Sequence, residues 1–367
     1  MILHIAPDYI NKPLYHHLLE ALAAHDIAKA QYVYACDNTG HTSQAVPDNV
    51  HIVDRSFSVW ERILFFPKQR YLLRDIESVV PFKDVLLIHA HTLFSSGYMA
   101  YRLHQKYGIP YIVAVRNTDV NVFFKYMPHL RSMGRKIAAH AQKIIFISPA
   151  YQKQVVGKYL PEELAHQSVV IPNGIDRLFL DHTSHHALSE AIRLIYVGRI
   201  ENAKNVHTII KVVDALRQEG IKAQLCLVGN IVEPDYKALI EARKDYIEWH
   251  DQCPKEQVLT YLRKNDIFIM PSYKETFGLV YAEAMSQGLP VLYTKGQGFD
   301  GFFPDGEVGY SVSPDDVAEI TKKIQLITQN YGIISQHCTR CASRFDWKQI
   351  ATEYNTIYQH IFKSGVS

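Results

Sequence analysis

Short apolar runs alternate with longer amphipathic stretches along most of the chain. An unbroken apolar run of about four to eight residues is typical of a strand covered on both faces of a parallel sheet. Amphipathic stretches with a helical period lie at residues 13–24, 59–76 and 96–106. Strand–helix alternation predicts doubly wound α/β domains. Strands are predicted at residues 2–6, 31–35, 85–89, 111–115 and 144–148, and then at 194–197, 223–228, 247–250, 267–270 and 290–293.

The segment at residues 169–190 interrupts this alternation with Pro, Asn, Gly and a polar, His-rich run. A chain of 367 residues exceeds what one hydrophobic core usually supports. We therefore predict a first domain at 1–180, a second at 190–343, and a final helix within 344–367 that packs back on the first domain. Parallel sheets bind ligands at the carboxyl ends of their strands. The prediction is thus two Rossmann-like domains facing a central cleft.

Composition and charge make several classes of protein less favoured, among them nucleic-acid-binding, disulfide-rich and membrane-spanning proteins. The net charge of +2 gives no argument for nucleic acid as a partner. Five widely spaced Cys favour a reducing compartment over a disulfide framework, and Cys338 and Cys341 form a lone CxxC in a charged helical stretch. The N-terminus lacks a signal-peptide pattern, and the sequence lacks the run of about 18 apolar residues that a membrane span needs. A cytoplasmic protein is expected.

Two cations follow the first strand of the predicted second domain. Gly198 and Arg199 end this strand, and Lys204 comes five residues later. Arg offers a planar fork of donors and Lys a compact charge, so the pair suits both phosphates of a nucleotide diphosphate. Gly198 allows backbone to approach a ligand, and residues 202–205 are typical of a helix start.

A second group lies between residues 271 and 286. Glu275 occupies a loop, the helix is predicted to begin near Phe277, and Glu283 lies in its body. The amides of Phe277, Gly278 and Leu279 would face a phosphate at the positive helix end. Each carboxylate can accept hydrogen bonds from a vicinal diol such as a sugar or ribose presents. The alternative is a solvated Glu on an amphipathic helix.

These motifs together closely resemble the retaining, sugar-nucleotide-dependent glycosyltransferases of family 4 (glycosyl transferases group 1), which have the GT-B fold. The resemblance covers most of the chain. It rests on Gly198-Arg199…Lys204, Val228-Gly229, Pro271-Ser272…Glu275-x-Phe277-Gly278…Glu283-Ala284, Gly288-x-Pro290-Val291, Ile171-Pro172-Asn173-Gly174-Ile175-Asp176 and Asp346-Trp347.

The resemblance implies a metal-independent, hexosyltransferase-type enzyme. Arg199 and Lys204 would bind the donor diphosphate and stabilise the leaving nucleotide, while Glu283 would hold the ribose hydroxyls. Glu275, with the amides of residues 277–279, would hold the donor sugar. No Asp-x-Asp occurs, so no metal and no cofactor beyond the nucleotide-sugar co-substrate are expected. The leaving phosphate would take the acceptor proton.

The first half departs from the family pattern. Its first strand-to-helix loop lacks the glycine pair of many members and holds Lys12. Where members often carry His-Gly or His-Asp, this chain has Arg116-Asn117-Thr118-Asp119, so Arg116 is predicted to replace that His beside the donor sugar. His91, from the strand-end His-Ala-His, is predicted at the cleft. Lys12, Asn117 and Asp119 complete the predicted acceptor side.

The acceptor is predicted to be a saccharide or a lipid-linked saccharide in bacterial polysaccharide assembly. Residues 60–74 and 122–143 mix aromatic with basic side chains, which suits peripheral contact with the inner face of an anionic membrane. The alternative, which the residues favour slightly, is a core-facing helix with a solvated basic face. Two other functions stay open: a sugar-nucleotide epimerase or hydrolase, and a non-catalytic sugar-nucleotide-binding subunit. A nicotinamide dehydrogenase is disfavoured because no GxGxxG follows the first strand.

Overall fold

The structure is a computed structural model that describes residues 1–37, 47–54, 57 and 65–364. The chain divides into two compact units. The first comprises Met1–Ile147, Tyr151–Pro172 and Trp347–Ser367, and the second Ser148–Ala150 and Asn173–Asp346. The start of the helix predicted at 59–76, and of the aromatic and basic stretch at 60–74, lies outside the described residues.

Two wholly parallel sheets form the framework. The first unit contains β1 (Ile2–Ile5), β2 (Gln31–Asp37), β3 (Val50–Asp54), β4 (Leu87–Ala90), β5 (Tyr111–Val115), β6 (Lys143–Phe146) and β7 (Ser168–Val170). The second contains β8 (Ile192–Val197), β9 (Ala223–Val228), β10 (Ile247–His250), β11 (Ile267–Met270), β12 (Val291–Thr294) and β13 (Gly309–Val312). Every pairing within each sheet is parallel.

Helices connect most of these strands. They are α1 (Pro13–Ala23), α2 (Phe65–Val79), α3 (Ser95–Tyr107), α4 (Arg131–His140), α5 (Pro149–Val155), α6 (Arg177–Asp181), α7 (Val206–Gln218), α8 (Asp235–Glu241), α9 (Lys255–Arg263), α10 (Leu279–Ser286), α11 (Val317–Gln329), α12 (Tyr331–Ala342) and α13 (Trp347–Ser364). Among the described residues, none of them is both long and apolar enough to cross a membrane.

The two sheets share one strand order. It is β3-β2-β1-β4-β5-β6-β7 in the first unit and β10-β9-β8-β11-β12-β13 in the second. In each sheet the first strand lies centrally, and the chain order reverses beside it, between β1 and β4 and between β8 and β11. Doubly wound sheets bind ligands outside the carboxyl ends of the strands at this reversal. The prediction of two doubly wound α/β units is confirmed.

Side chains on both faces of the first sheet are buried. Leu3 and Ile5 pack in one apolar cluster, and Ile2 packs in a second on the opposite face, because successive strand residues point to opposite faces. The second cluster includes Trp347 and Tyr358 of α13, which packs against α1. The final helix therefore belongs to the first unit.

The apolar runs identify the interior strands of both sheets, and two edge strands were missed. Ala223–Val228, Ile247–His250 and Ile267–Met270 are found as predicted, whereas β3 and β13 were not predicted. Both unpredicted strands lie at sheet edges, where half-buried positions break the apolar run. Their sequences, VHIVD and GYSV, carry polar residues for this reason.

Candidate functional site

Two glycines bring the backbones at the ends of β8 and β9 into contact. A Cβ atom on Gly229 would lie 2.0 Å from the carbonyl oxygen of Gly198, so no side chain fits there. Gly198 has φ +152°, and a Cβ there would lie 2.8 Å from the Tyr196 hydroxyl oxygen. Arg199 follows directly, with 68% of its side chain exposed and its Nη2 3.0 Å from Glu201 Oε1. The strand end thus presents bare backbone beside an accessible guanidinium.

The Lys204 side chain reaches Glu275, which follows β11, the neighbour of β8 in the sheet. Its Nζ lies 2.7 Å from Glu275 Oε2, with side-chain exposures of 20% and 15%. Lys204 ends a short 3-10 turn before α7, so the predicted helix start at 202–205 is found. Lys204, predicted to bind the diphosphate, and Glu275, predicted to bind the donor sugar, therefore form one ion pair. The sequence did not reveal this pairing.

Asn205 fixes this turn and was missed by sequence reasoning. It is fully buried in the left-handed conformation (φ 59°), which Asn tolerates better than most residues. Its Nδ2 donates to the carbonyl oxygens of Pro271 at 3.0 Å and Pro314 at 2.7 Å. The turn that carries Lys204 is therefore tied to the end of β11.

The loop carrying Glu275 is braced from the chain after β12. The Glu275 amide donates to Gln297 Oε1 at 3.1 Å, and the Gly298 amide donates to the Glu275 carbonyl at 2.8 Å. A Cβ on Gly298 would lie 2.3 Å from the Thr276 carbonyl carbon. Gln297 and Gly298 carried no sequence signal that distinguished them from ordinary turn residues.

Helix α10 begins at Leu279, two residues later than predicted. Gly278 is its N-cap with φ +76°, where a Cβ would lie 2.6 Å from the ring of Tyr281. Phe277 is buried, with ring centroids 5.7 Å from those of Phe302 and Phe345. These contacts anchor a helix start whose first amides and positive dipole end favour an anion.

Glu283 lies half-buried in α10, and its neighbours Ala282, Ala284 and Met285 are buried as predicted. Burial raises the pKa of Glu283 to about 7; Lys255 acts against this shift and Asp176 adds to it. Lys255 and Asp176 themselves form an ion pair at 2.9 Å. Glu283 can therefore change its protonation state near neutral pH and so change its hydrogen-bonding capacity.

The residues predicted on the acceptor side, and Arg116, follow the carboxyl ends of strands in the first sheet. They lie in the segments after β1, β4 and β5. Arg116 is half-buried, and its Nε donates to the His91 carbonyl at 3.4 Å. Asn117 is exposed and accepts a hydrogen bond from the Asn121 amide. Lys12 is exposed and pairs with Asp8 at 2.6 Å.

Asp119, which is predicted on the acceptor side, has a buried side chain that binds backbone amides of the first unit. It is 1% exposed, and its carboxylate accepts the amides of Leu93 and Phe94 at 3.0 Å and that of Arg116 at 2.8 Å. Burial raises the pKa of Asp119 to about 6, against the effect of these three hydrogen bonds. Asp119 therefore links the loop after β4 to the loop after β5. Its hydrogen bond to the Arg116 amide also holds the backbone of Arg116 in place.

His91, which is predicted at the cleft, is also buried. Its ring stacks on His89 at 4.0 Å between centroids, and its Nε2 lies 3.1 Å from His4 Nδ1. Burial lowers the pKa of all three imidazoles, that of His4 to about 3. Strand register explains the cluster, because His4 pairs with His89 across β1 and β4.

Two groups of side chains among the described residues have metal-ligand types close together. One is His4, His89 and His91, and the other is Cys226, Glu248 and His250. Arg116 contributes to the lowered pKa of His89 and His91, and such a nearby cation disfavours a metal ion at the first group.

Comparison with known proteins gives the family. The family described as Glycosyl transferases group 1 matches residues 169–344, and Glycosyltransferase Family 4 matches residues 14–177. Glycogen synthase from Mycobacterium tuberculosis is 24% identical over 285 residues, covering 74% of this chain and 68% of that protein. A D-inositol 3-phosphate glycosyltransferase from an Arthrobacter species is 26% identical over 290 residues, covering 72% and 68%.

Solved structures agree on the fold. Sucrose-phosphate synthase from Thermosynechococcus elongatus has a TM-score of 0.74 at 18% identity, with 99% of both chains covered. Anabaena HepE, solved in complex with UDP, has a TM-score of 0.70 at 17% identity, covering 98% of this chain and 99% of that one.

The strand order, the charged strand ends of the second unit and these matches define a glycosyltransferase of the GT-B fold. Within that class, the chain belongs to glycosyltransferase family 4, glycosyl transferases group 1.

Proposed function

We propose that the protein transfers a sugar from a nucleotide-diphosphate sugar to a saccharide or lipid-linked saccharide during bacterial polysaccharide assembly. We further propose that transfer retains the anomeric configuration and needs no metal. The observation that carries this proposal is the Lys204–Glu275 ion pair, beside the glycine-lined end of β8 and near the start of α10.

This arrangement suits a ligand with adjacent negative charges and hydroxyl groups. Arg199, Lys204 and the amides at the start of α10 would neutralise a diphosphate, a task that other transferases give to a metal ion. Glu275 would release Lys204 to the diphosphate and accept hydrogen bonds from the donor sugar. Glu283 would hold the ribose hydroxyls.

The proposed reaction breaks the bond between the sugar C1 and the diphosphate oxygen and forms a bond from C1 to an acceptor oxygen. The acceptor hydroxyl proton passes to the leaving diphosphate, so no protein base is required. The charge that develops on the leaving group is stabilised by Arg199 and Lys204. We propose that Arg116 assists beside the donor sugar.

The acceptor side has less support. The named relatives act on a polyglucose in one case and on inositol phosphate in the other, so a saccharide or polyol acceptor is the shared class. Residues 122–143 form short helical turns and α4 rather than one helix, with Tyr126 67% exposed and Lys125 5.0 Å from its ring. We propose peripheral contact of this segment with anionic lipid, which co-sedimentation with anionic and neutral vesicles would test.

The deciding experiment is a transfer assay with UDP-, GDP- and ADP-sugars, with and without lipid-linked acceptors, in the presence and absence of EDTA. We expect one nucleotide class to support product formation only with acceptor, at a rate that EDTA leaves unchanged. The anomeric configuration of the product, read by NMR, tests retention.

Two other results would replace the proposal. Release of free sugar or an epimer without acceptor would identify a hydrolase or epimerase. Binding of a nucleotide sugar without turnover of any acceptor would favour a non-catalytic subunit, although the intact set of Arg199, Lys204, Glu275 and Glu283 argues against that role.

A further inference from the structure

A second group of polar side chains lies at the edge of the sheet in the second unit. Cys226 of β9 pairs in register with Glu248 of β10, and His250 lies two residues further on the same face. The Sγ, one carboxylate oxygen and one imidazole nitrogen all lie within 4.8 Å of one another. Sheet register, rather than chance proximity of flexible side chains, brings the thiol, carboxylate and imidazole together.

The contact between His250 and Glu248 is short and is an ion-pair contact. His250 Nε2 lies 2.7 Å from Glu248 Oε1, yet this buried nitrogen has no hydrogen-bond partner among the described residues. An imidazole nitrogen and a carboxylate oxygen that converge in this way are two of the ligand types that zinc takes in proteins. The ring of Tyr261 stacks on His250 at 4.2 Å between centroids and fixes its plane.

Cys253 supplies a further thiol close to this group in the sequence. It follows His250 with a His-x-x-Cys spacing, in the loop between β10 and α9, and is half-buried. The other thiol, that of Cys226, is buried. Both cysteines are free thiols.

The geometry points to a zinc ion bound by Cys226, Glu248 and His250. The His-x-x-Cys spacing offers Cys253, in the loop that follows His250, as the fourth ligand. Thiolate, imidazole and carboxylate are the ligands that zinc takes in proteins, usually four in a tetrahedron. Zinc–ligand bonds of about 2.0–2.3 Å place neighbouring ligand atoms about 3.3–3.7 Å apart, so small side-chain rotations suffice. Each thiol that binds forms a Zn–S bond and releases its proton to solvent.

The position of the proposed zinc site gives the ion an entry path and a structural role. Cys226 and Glu248 line a cavity of about 330 Å³, and the Glu248 side chain is 69% exposed, so the ion has an entry path. The four ligands would clamp the loop after β10 to an edge strand that is paired on one side, with β9. This zinc is structural and is separate from the metal-free transfer proposed above.

The test is metal binding by the full chain. After treatment with EDTA and gel filtration, the wild type is titrated with ZnCl₂ and analysed for bound zinc by mass spectrometry. CoCl₂ provides a spectroscopic probe, because thiolate ligands give a charge-transfer absorption and tetrahedral geometry gives intense visible bands. We expect about one ion per chain, with both signals from cobalt.

Substitutions of the proposed ligands distinguish a specific zinc site from weak binding of zinc to the protein surface. Cys226→Ser and His250→Gln should each weaken zinc binding by about 100-fold or more, because each removes a direct ligand, and loss of a residue that merely supports a ligand already costs about 10–100-fold. Cys341→Ser, which removes a half-buried thiol from α12, is the matched control and should bind as the wild type does. Circular dichroism confirms that each variant is folded.

The proposal is overturned if the folded wild type binds no zinc, or if both ligand variants bind as tightly as it does. Unchanged binding by Cys253→Ser would overturn the assignment of the fourth ligand. Nucleotide-sugar binding is measured separately, so neither result depends on the proposed transferase activity.

Discussion

The two units have the same strand order but differ in where they place polar groups at the reversal of that order. In the second unit the charges stay accessible, with Arg199 exposed and Lys204 paired with Glu275 near the surface. In the first unit His91 and Asp119 point inward and are 0% and 1% exposed. A polar residue at a strand end is therefore weak evidence of ligand contact until the loop that follows it is known.

Loop geometry causes the difference. In the second unit Gly198 and Gly229 keep side chains away from the strand ends. In the first unit a π-helical turn at Asp119–Phe124 follows β5 and directs Asp119 back onto the amides of Leu93 and Phe94. The carboxylate thus satisfies backbone groups that would otherwise be buried without partners.

The largest effect is expected at Asp119. Asp119→Ala leaves two buried amides and one partly buried amide without their acceptor. We expect a loss of about 4 kcal/mol in the free energy of unfolding. Urea denaturation measures this loss. Asn117→Ala, an exposed neighbour, should change stability by no more than about 0.5 kcal/mol. Similar stability of both variants would mean that Asp119 is not the internal brace described here.

Lys204→Ala tests the accessible charges of the second unit. We expect kcat/KM for sugar transfer to fall by about 100-fold, because the leaving diphosphate loses a charge-stabilising donor. The exposed Lys211 on α7 provides the control, and Lys211→Ala should retain the wild-type rate. A Lys204→Ala enzyme with near-normal kcat/KM would remove the diphosphate role from this residue.

The buried histidines make stability depend on pH. Because folding lowers the pKa of His4 from 6.5 to about 3, the unfolded chain binds a proton at pH 5 that the folded chain does not. Stability is thus lost as pH falls below 6.5, by about 2 kcal/mol per such group between pH 7 and pH 5. His4→Gln should reduce the pH dependence by this amount, whereas the exposed His140→Gln should not. Equal pH dependence in all three proteins would contradict the neutral buried state.

A smaller effect is expected at Glu283. Its raised pKa of about 7 makes it mostly protonated at pH 6 and mostly ionised at pH 8. If the ionised carboxylate holds the ribose diol, nucleotide affinity rises by up to about tenfold over this range. Calorimetry with the wild type and Glu283→Gln separates this effect from titration of the ligand phosphate. A parallel rise in the variant would exclude Glu283 as the cause.

Much of the second unit could be read from the sequence. The apolar runs predicted Ala223–Val228 and Ile267–Met270 within the strand bounds found, because buried central strands admit few polar residues. Ile247–His250 was also predicted, although β10 lies at the edge of its sheet. The glycines and charges after β8 and β11 stood at predicted strand ends, so their proximity followed from a parallel sheet. The family assignment rested on the same motifs and is confirmed.

Other features required the tertiary structure. Sequence spacing could not show that Lys204 binds Glu275, 71 residues away, or that Asn205 ties two further loops together. Nor could it show that His91 and Asp119 turn inward, since the same strand-end position serves a ligand or the core. The edge strands β3 and β13 were not predicted for a related reason. Their half-exposed positions remove the apolar run that marks a strand.

The sequence by itself determined the alternation of strands and helices, the chemical types present at the strand ends and the family. These follow from local periodicity and from residue identity, which are properties of short segments. Only the tertiary structure decided which charges pair, which polar groups are buried and which thiol meets which imidazole. Those outcomes depend on loop conformation and sheet register, which bring together residues far apart in the chain.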